Sequence, residues 1–155
     1  MPFPLKELQS VNPNVTPFPN LYKGTYILVL RLAKATALSI GKLGHFDFKK
    51  GYYLYVGSAF GPGGLASRLK HHLSVSPKPR WHLDYLRPAT TITDIRISDE
   101  NERAEHIWAT HLSLMENFSI PIPGFGSSDC HCLAHLFHSP KKPVFFMLPN
   151  PMVSP

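Results

Sequence analysis

Two stretches of the chain are apolar almost without a break and rich in β-branched and aromatic residues: TYILVLRL over 25–32 and GYYLYVGSA over 51–59. Each is long enough for a strand and too short for a buried helix of ordinary length. In the second, alternation puts Tyr53 and Tyr55 on one face and Tyr52, Leu54 and Val56 on the other. Between them, ATALSIG reads as a hairpin partner of the first strand, and the GKLG that follows reads as a turn. TTITDIRI over 90–97 is a further strand.

Helical spacing takes over elsewhere. Leu65, Leu69 and Leu73 recur every fourth residue, which predicts a helix with Arg68 and His72 bordering the apolar stripe and Ser67 and His71 turned away. WHLDYL over 81–86 predicts a short helix ended by Pro88, with Trp81, Tyr85 and Leu86 in the core and His82 and Asp84 toward a cleft. The longest helix is expected to begin near Asp99, with Glu102 completing a capping box. Its apolar face collects Ala104, Ile107, Trp108, Leu112 and Met115, leaving Glu105 at the margin, partly shielded. The segment from Ser119 is a loop until about Leu133, and VFFML over 144–148 is a last edge strand. The fold class is therefore α/β in the broad sense (α+β): a small central antiparallel sheet flanked by helices.

Prolines crowd both ends, which predicts a Pro-rich extension over 1–20, a folded body over 21–147 and a Pro-rich tail over 148–155, the ends extended and without regular ladder bonds. A chain of 155 residues suits one domain. Its balance of 16 Lys+Arg against 10 Asp+Glu favours polyanionic partners. Two cysteines, only two positions apart, point to a reducing compartment. With no secretory leader pattern and no long apolar run, the expectation is a soluble, cytoplasmic chain without membrane contact.

The candidate chemistry gathers around the second tyrosine strand. YVG is followed by the glycine-rich SAFGPGG and then by a basic helix, so backbone N–H groups and the positive end of a helix dipole can face a bulky anion beside Tyr55. Arg68 and His72 can meet a phosphate, and Glu105 offers a hard oxygen ligand for Mg²⁺ or Mn²⁺. Taken singly, each of these residues also suits a structural role; the constellation is what carries chemistry. In GFGSSDC, the Ser127 and Ser128 hydroxyls with Asp129 either contact a phosphate or bond within their own loop. Cys130, Cys132 and His135 are metal-ligating types, but C-x-C-x-x-H is not a standard zinc spacing and lacks an obvious fourth ligand. Buried structural thiols are the favoured reading over zinc.

GTY at 24–26, YVG at 55–57 and an arginine followed four residues later by a histidine resemble the GIY-YIG nuclease superfamily. YVGSAFGPGGLASRLKHH, WHLDYL, the glutamate of AEHIWATHL and FGSSDCHCLAHLF resemble more closely a prokaryotic GIY-YIG-like domain family, whose members occur alone or fused to an endonuclease III type glycosylase. The resemblance spans about 22–138. It implies a metal-dependent endonuclease acting on DNA, with DNA repair as the setting, a repair glycosylase as a possible partner and no organic cofactor.

By the same resemblance, Tyr26, Tyr55, Arg68, His72 and Glu105 are the catalytic set, Glu105 holds the metal, Gly57 keeps the cleft open and Asn117 matches a supporting asparagine. One of the tyrosines would deprotonate the attacking water, its pKa lowered by Arg68 and the metal. Gly57, Ser58, Lys70, His71, His82, Ser127 and Ser128 are the expected contacts to nucleic acid. Tyr26 and Tyr55 stand 29 positions apart, which implies an extended hairpin between the two tyrosine motifs, and Ser58 replaces a lysine of excision-repair relatives. The alternative is a catalytically inactive nucleic-acid-binding module that works with a partner enzyme.

Overall fold

The structure, a computed structural model, describes residues 5–14, 23–98, 103–127, 130–144 and 147–149. In chain order the strands are β1 (Leu5–Glu7), β2 (Gln9–Val11), β3 (Gly24–Leu32), β4 (Thr36–Ile40), β5 (Gly44–Phe48), β6 (Gly51–Ala59), β7 (Thr91–Ser98), β8 (Leu136–Ser139) and β9 (Met147–Pro149). The helices are α1 (Gly64–Leu73), α2 (His82–Leu86) and α3 (Glu105–Ser113). The fold is α+β: five antiparallel strands in the order β2-β7-β3-β6-β8, a separate β4-β5 hairpin sheet and three helices, with β1 and β9 paired on their own.

The two tyrosine strands lie side by side at the centre of the sheet, with Leu28 opposite Tyr55 and Tyr26 opposite Gly57. Alternation then sorts the apolar residues into two cores. Tyr26, Leu28, Leu30, Tyr53 and Tyr55 pack with Leu65 and Leu69 of α1, Leu83 and Leu86 of α2, and Ile40 and Phe48 of the hairpin. Ile27, Leu54, Val56 and Phe137 pack on the opposite face against Trp108, Ala109 and Leu112 of α3. A fully buried side chain of this size contributes about 1.5–3 kcal/mol, so the double-sided sheet is the main source of stability.

Four expectations change. ATALSIG pairs with residues 44–48 and not with β3, because the turn at Gly41–Leu43 folds it onto the chain that follows. α3 begins at Glu105 and, at nine residues, is shorter than the ten-residue α1; the proposed cap at Asp99 and Glu102 lies outside the described residues. Residues 9–11 do supply ladder bonds, as an edge strand on β7, and β9 pairs with β1 while lying against α3. Trp81 and Tyr85 are only half-buried, whereas Leu83 and Asp84 are buried. Among the described residues, no helix is long and apolar enough to cross a membrane.

Candidate functional site

The site lies where β6 runs out into the glycine-rich bend. Gly63 takes φ +83°, which admits glycine readily and a larger residue only under strain, and this sharp entry starts α1 immediately beside the sheet end. α1 then lays Leu65 and Leu69 on the sheet and carries His72 into the core, only 1% exposed. His72 Nε2 lies 2.7 Å from the Tyr26 hydroxyl. The ring centroid of Tyr55 is 5.8 Å from His72 and 6.5 Å from that of Tyr26, so the three rings form one cluster.

Gly57 faces Tyr26 across the β3–β6 ladder, and a Cβ there would collide with the phenol oxygen and Cζ of Tyr26. The absence of a side chain at 57 is what lets the tyrosine lie flat over the strand. On the other face of the same strand end, the Ser58 hydroxyl donates to Glu105 Oε1 at 3.1 Å. Thr25 Oγ1 accepts from the Ala104 N–H at 3.1 Å, which fixes the start of α3 and thereby the position of Glu105. Glu105 Oε2 lies 3.1 Å from His135 Nδ1, whose ring is buried against Val56 of β6.

Burial dominates the electrostatics. Desolvation pushes the Tyr26 and Tyr55 phenols well above the usual tyrosine range; Arg68 pulls both down and Glu105 pushes both up, but burial outweighs the guanidinium. The expectation of a phenol lowered by Arg68 is thus reversed in the protein alone. Desolvation also brings His72 down to about 3, assisted by His71 and Arg68, so its ring is neutral at physiological pH. For Glu105, burial opposes ionisation, yet hydrogen bonding and charge from His135 and the Ser58 hydroxyl prevail and hold the carboxyl below its usual range.

Arg68 stacks on the half-buried Trp81, its guanidinium carbon 4.4 Å from the ring centroid, with Arg80 at 5.3 Å from the same ring. Arg103 sits 4.9 Å from the Phe60 ring. Three guanidinium groups therefore lie over aromatic rings, two of them over Trp81 and one over Phe60, which follows β6.

Tyr26, Tyr55 and His72 form one ring cluster with Arg68 on Trp81 beside it, and Glu105 is held by Ser58, the residue after Gly57 on β6. The hollow next to Glu105, about 320 Å³, is lined by Arg103, Glu105, His106, Gly126, Cys130 and His135, and Tyr55 packs beside Gly126. Glu105 is ionised and its side chain 21% exposed there, which fits one carboxylate holding a largely hydrated Mg²⁺ or Mn²⁺.

The other expected contacts are scattered. Lys70 is exposed and stands about 200° round α1 from Arg68. His71 is tied to buried Asp84 at 2.9 Å, and Asp84 also takes the N–H groups of Arg80 and Trp81. His82 Nδ1 accepts from the Gly126 N–H at 2.8 Å. Ser127 is buried, its carbonyl accepting from the Cys130 N–H; Ser128 and Asp129 lie outside the described residues. Asn117 is exposed in the turn after α3. Cys130 and Cys132 are free, half-buried thiols, Cys132 pushed up to about 12 by burial and by Cys130.

Sequence reasoning missed Arg80, Arg103 and His106. The arginines carried a signal, each lying within one residue of a helix-flanking aromatic or alanine already singled out, but only the fold sets them against Trp81 and Phe60.

A family model described as a domain of unknown function, DUF123, matches residues 25–148. Neither a curated protein nor a solved structure shows a significant match to the chain.

Proposed function

The chain belongs to the DUF123 domain family, and we propose that it is a GIY-YIG-type endonuclease that hydrolyses DNA phosphodiester bonds with a divalent cation, in DNA repair or a related transaction. One observation carries this reading: the Tyr26–Tyr55–His72 ring cluster, with Arg68 on Trp81 beside it, meets β6 at Gly57, and the next residue, Ser58, holds Glu105. The resemblance of GTY, YVG and the Arg-x-x-x-His helix to that superfamily supports it, as does Arg103 on the hollow beside Glu105.

The chain's own groups divide the work. Arg68 meets a phosphate through parallel N–H donors, held flat by Trp81. Tyr26 is fully buried and closed to substrate, so it positions: its hydrogen bond to His72 braces the ring cluster. Tyr55, 8% exposed, is the phenol nearer the surface, and it enters the reaction protonated, as a donor to the water or the phosphate. Ser58 and His135 orient the Glu105 carboxylate. A cation there would supply the positive field that offsets charge building on phosphorus and eases deprotonation of water.

A second reading, a binding module that leaves chemistry to a partner such as a repair glycosylase, is favoured by the elevated phenols and by the engagement of both Glu105 oxygens. The two readings separate when purified protein is incubated with nicked, flapped, branched and single-stranded DNA in Mg²⁺ or Mn²⁺, beside Arg68→Ala and Glu105→Gln. Cation-dependent cleavage lost in both variants is the expected result; binding without cleavage in either metal overturns the endonuclease and leaves the module.

A further inference from the structure

Beside Glu105, and apart from the tyrosine cluster, a second group of residues meets from three places in the chain. His106, Cys130, Cys132 and His135 each offer one ligating atom, and these atoms all lie within 4.8 Å of one another. The cysteines sit in the loop before β8, His135 directly precedes that strand, and His106 projects from the first turn of α3. We propose that these four residues form a tetrahedral site for a zinc-class divalent cation, tying the loop before β8 to α3. This site is distinct from an oxygen-ligated cation at Glu105.

Three features support it. The first is spacing. His135 Nε2 lies 3.3 Å from Cys130 Sγ, close to the roughly 3.6 Å edge of a tetrahedron with metal bonds of about 2.1 Å to nitrogen and about 2.3 Å to sulfur. The local C-x-C-x-x-H supplies three ligands, and the helix supplies the fourth that the sequence pattern lacks.

The second is orientation. While Nε2 of His135 faces the thiol, its Nδ1 faces Glu105 Oε2 at 3.1 Å. A carboxylate on the far nitrogen is how metal-ligating histidines are held in one tautomer and one ring direction. Glu105 would serve as the outer partner of a histidine ligand.

The third is access and selectivity. Hollows of about 320 Å³ and 400 Å³ flank the cluster, and His106 and Cys130 line both. The His106 side chain is 62% exposed, so an ion can arrive from solvent without unfolding. Two thiolates and two imidazoles select zinc and disfavour Mg²⁺ or Ca²⁺, which take oxygen ligands.

The test uses the full chain, purified with Zn²⁺ and a phosphine reductant and then dialysed against metal-free buffer. Elemental analysis should find one zinc per chain, and Co²⁺ added to metal-stripped protein should give thiolate-to-cobalt charge-transfer absorption. His106→Gln, an exposed position, should keep the native circular dichroism yet bind Zn²⁺ more than about tenfold more weakly in chelator competition. The double variant Cys130→Ser/Cys132→Ser should lose the cobalt absorption; should it fail to fold, His106→Gln decides. Wild-type protein that retains no stoichiometric zinc and gives no thiolate–cobalt absorption would overturn the site, as would His106→Gln binding as tightly as wild type. No readout involves DNA, so this proposal and the endonuclease reading fail independently.

Discussion

The Tyr26 hydroxyl and His72 Nε2 lie 2.7 Å apart inside the core, and His72 Nδ1 is buried without a hydrogen-bond partner among the described residues. Burial is the main reason the folded pKa of His72 falls to about 3; a protonated ring would also set a charge against His71, Arg68 and Arg87, which Asp84 offsets only in part. The sign for stability follows from linkage. Above about pH 6.5 the ring is neutral whether the chain is folded or unfolded; below it, the unfolded chain takes up a proton that the folded one refuses.

Stability should therefore fall on acidification, by up to about 1.4 kcal/mol per pH unit from this group alone. Between pH 7.5 and pH 5 the wild type should lose about 2 kcal/mol more than His72→Gln, which does not titrate. Urea midpoints of both proteins at several pH values measure the difference. A gap that stays flat with pH would show that the ring titrates normally.

Gly57→Ala should destabilise the fold by about 1–3 kcal/mol, the usual range for overpacking a closed core. The new methyl meets both the phenol oxygen and Cζ of Tyr26. Tyr26→Phe removes only the first, so it should not restore the stability of Gly57→Ala. Equilibrium unfolding of the two single variants and the double variant decides this, and full rescue would mean that the ring lies elsewhere.

On the proposed reaction, Arg68→Ala should lower single-turnover cleavage by about 10²–10³, as expected for removal of a donor aimed at developing charge. Trp81→Ala keeps the charge but removes the surface that holds it flat, 4.4 Å away. It should weaken DNA binding by an amount typical of one cation–π contact, about 0.5–2 kcal/mol, read by fluorescence anisotropy at fixed salt. Unchanged affinity in Trp81→Ala would show that the stack does not orient Arg68.

Legibility followed the range of the interaction. β3 and β6 could be read from their nearly unbroken apolar runs of β-branched and aromatic residues, and the sorting of Tyr53 and Tyr55 from Leu54 and Val56 came out as two separate cores. The hairpin was misassigned although Gly41 and Gly44 mark its turn, because pairing partners depend on which neighbour is closer in space. The start of α3 was not legible: it is fixed by Thr25, 79 residues away, rather than by a local capping pattern. For the candidate site, residue chemistry linked Tyr55, Arg68, His72 and Glu105, and only resemblance added Tyr26. His106 was invisible beside the cysteines because a helix and a loop far apart in sequence bring them together.

Arg87 is the sharpest case of a structural residue that local sequence conceals, since an arginine before a proline reads as a solvated turn charge. It is 7% exposed, and its Nε donates to the His72 carbonyl while Nη1 and Nη2 reach Thr90 O at 2.9 Å and Leu73 O at 3.4 Å. His72 and Leu73 end α1, so one guanidinium satisfies carbonyls that the helix leaves unpaired and sets a positive charge at its negative end. Arg87→Met keeps the length and apolar stem but strands those acceptors, which predicts a loss of about 2–3 kcal/mol. Arg87→Lys should recover little, because a single ammonium cannot span three carbonyls in a plane. Both effects are readable as shifts of the urea midpoint, and since His72 hangs from the same helix end, amide exchange at residues 70–74 should accelerate in both variants. Protection unchanged there would mean that α1 closes without the arginine.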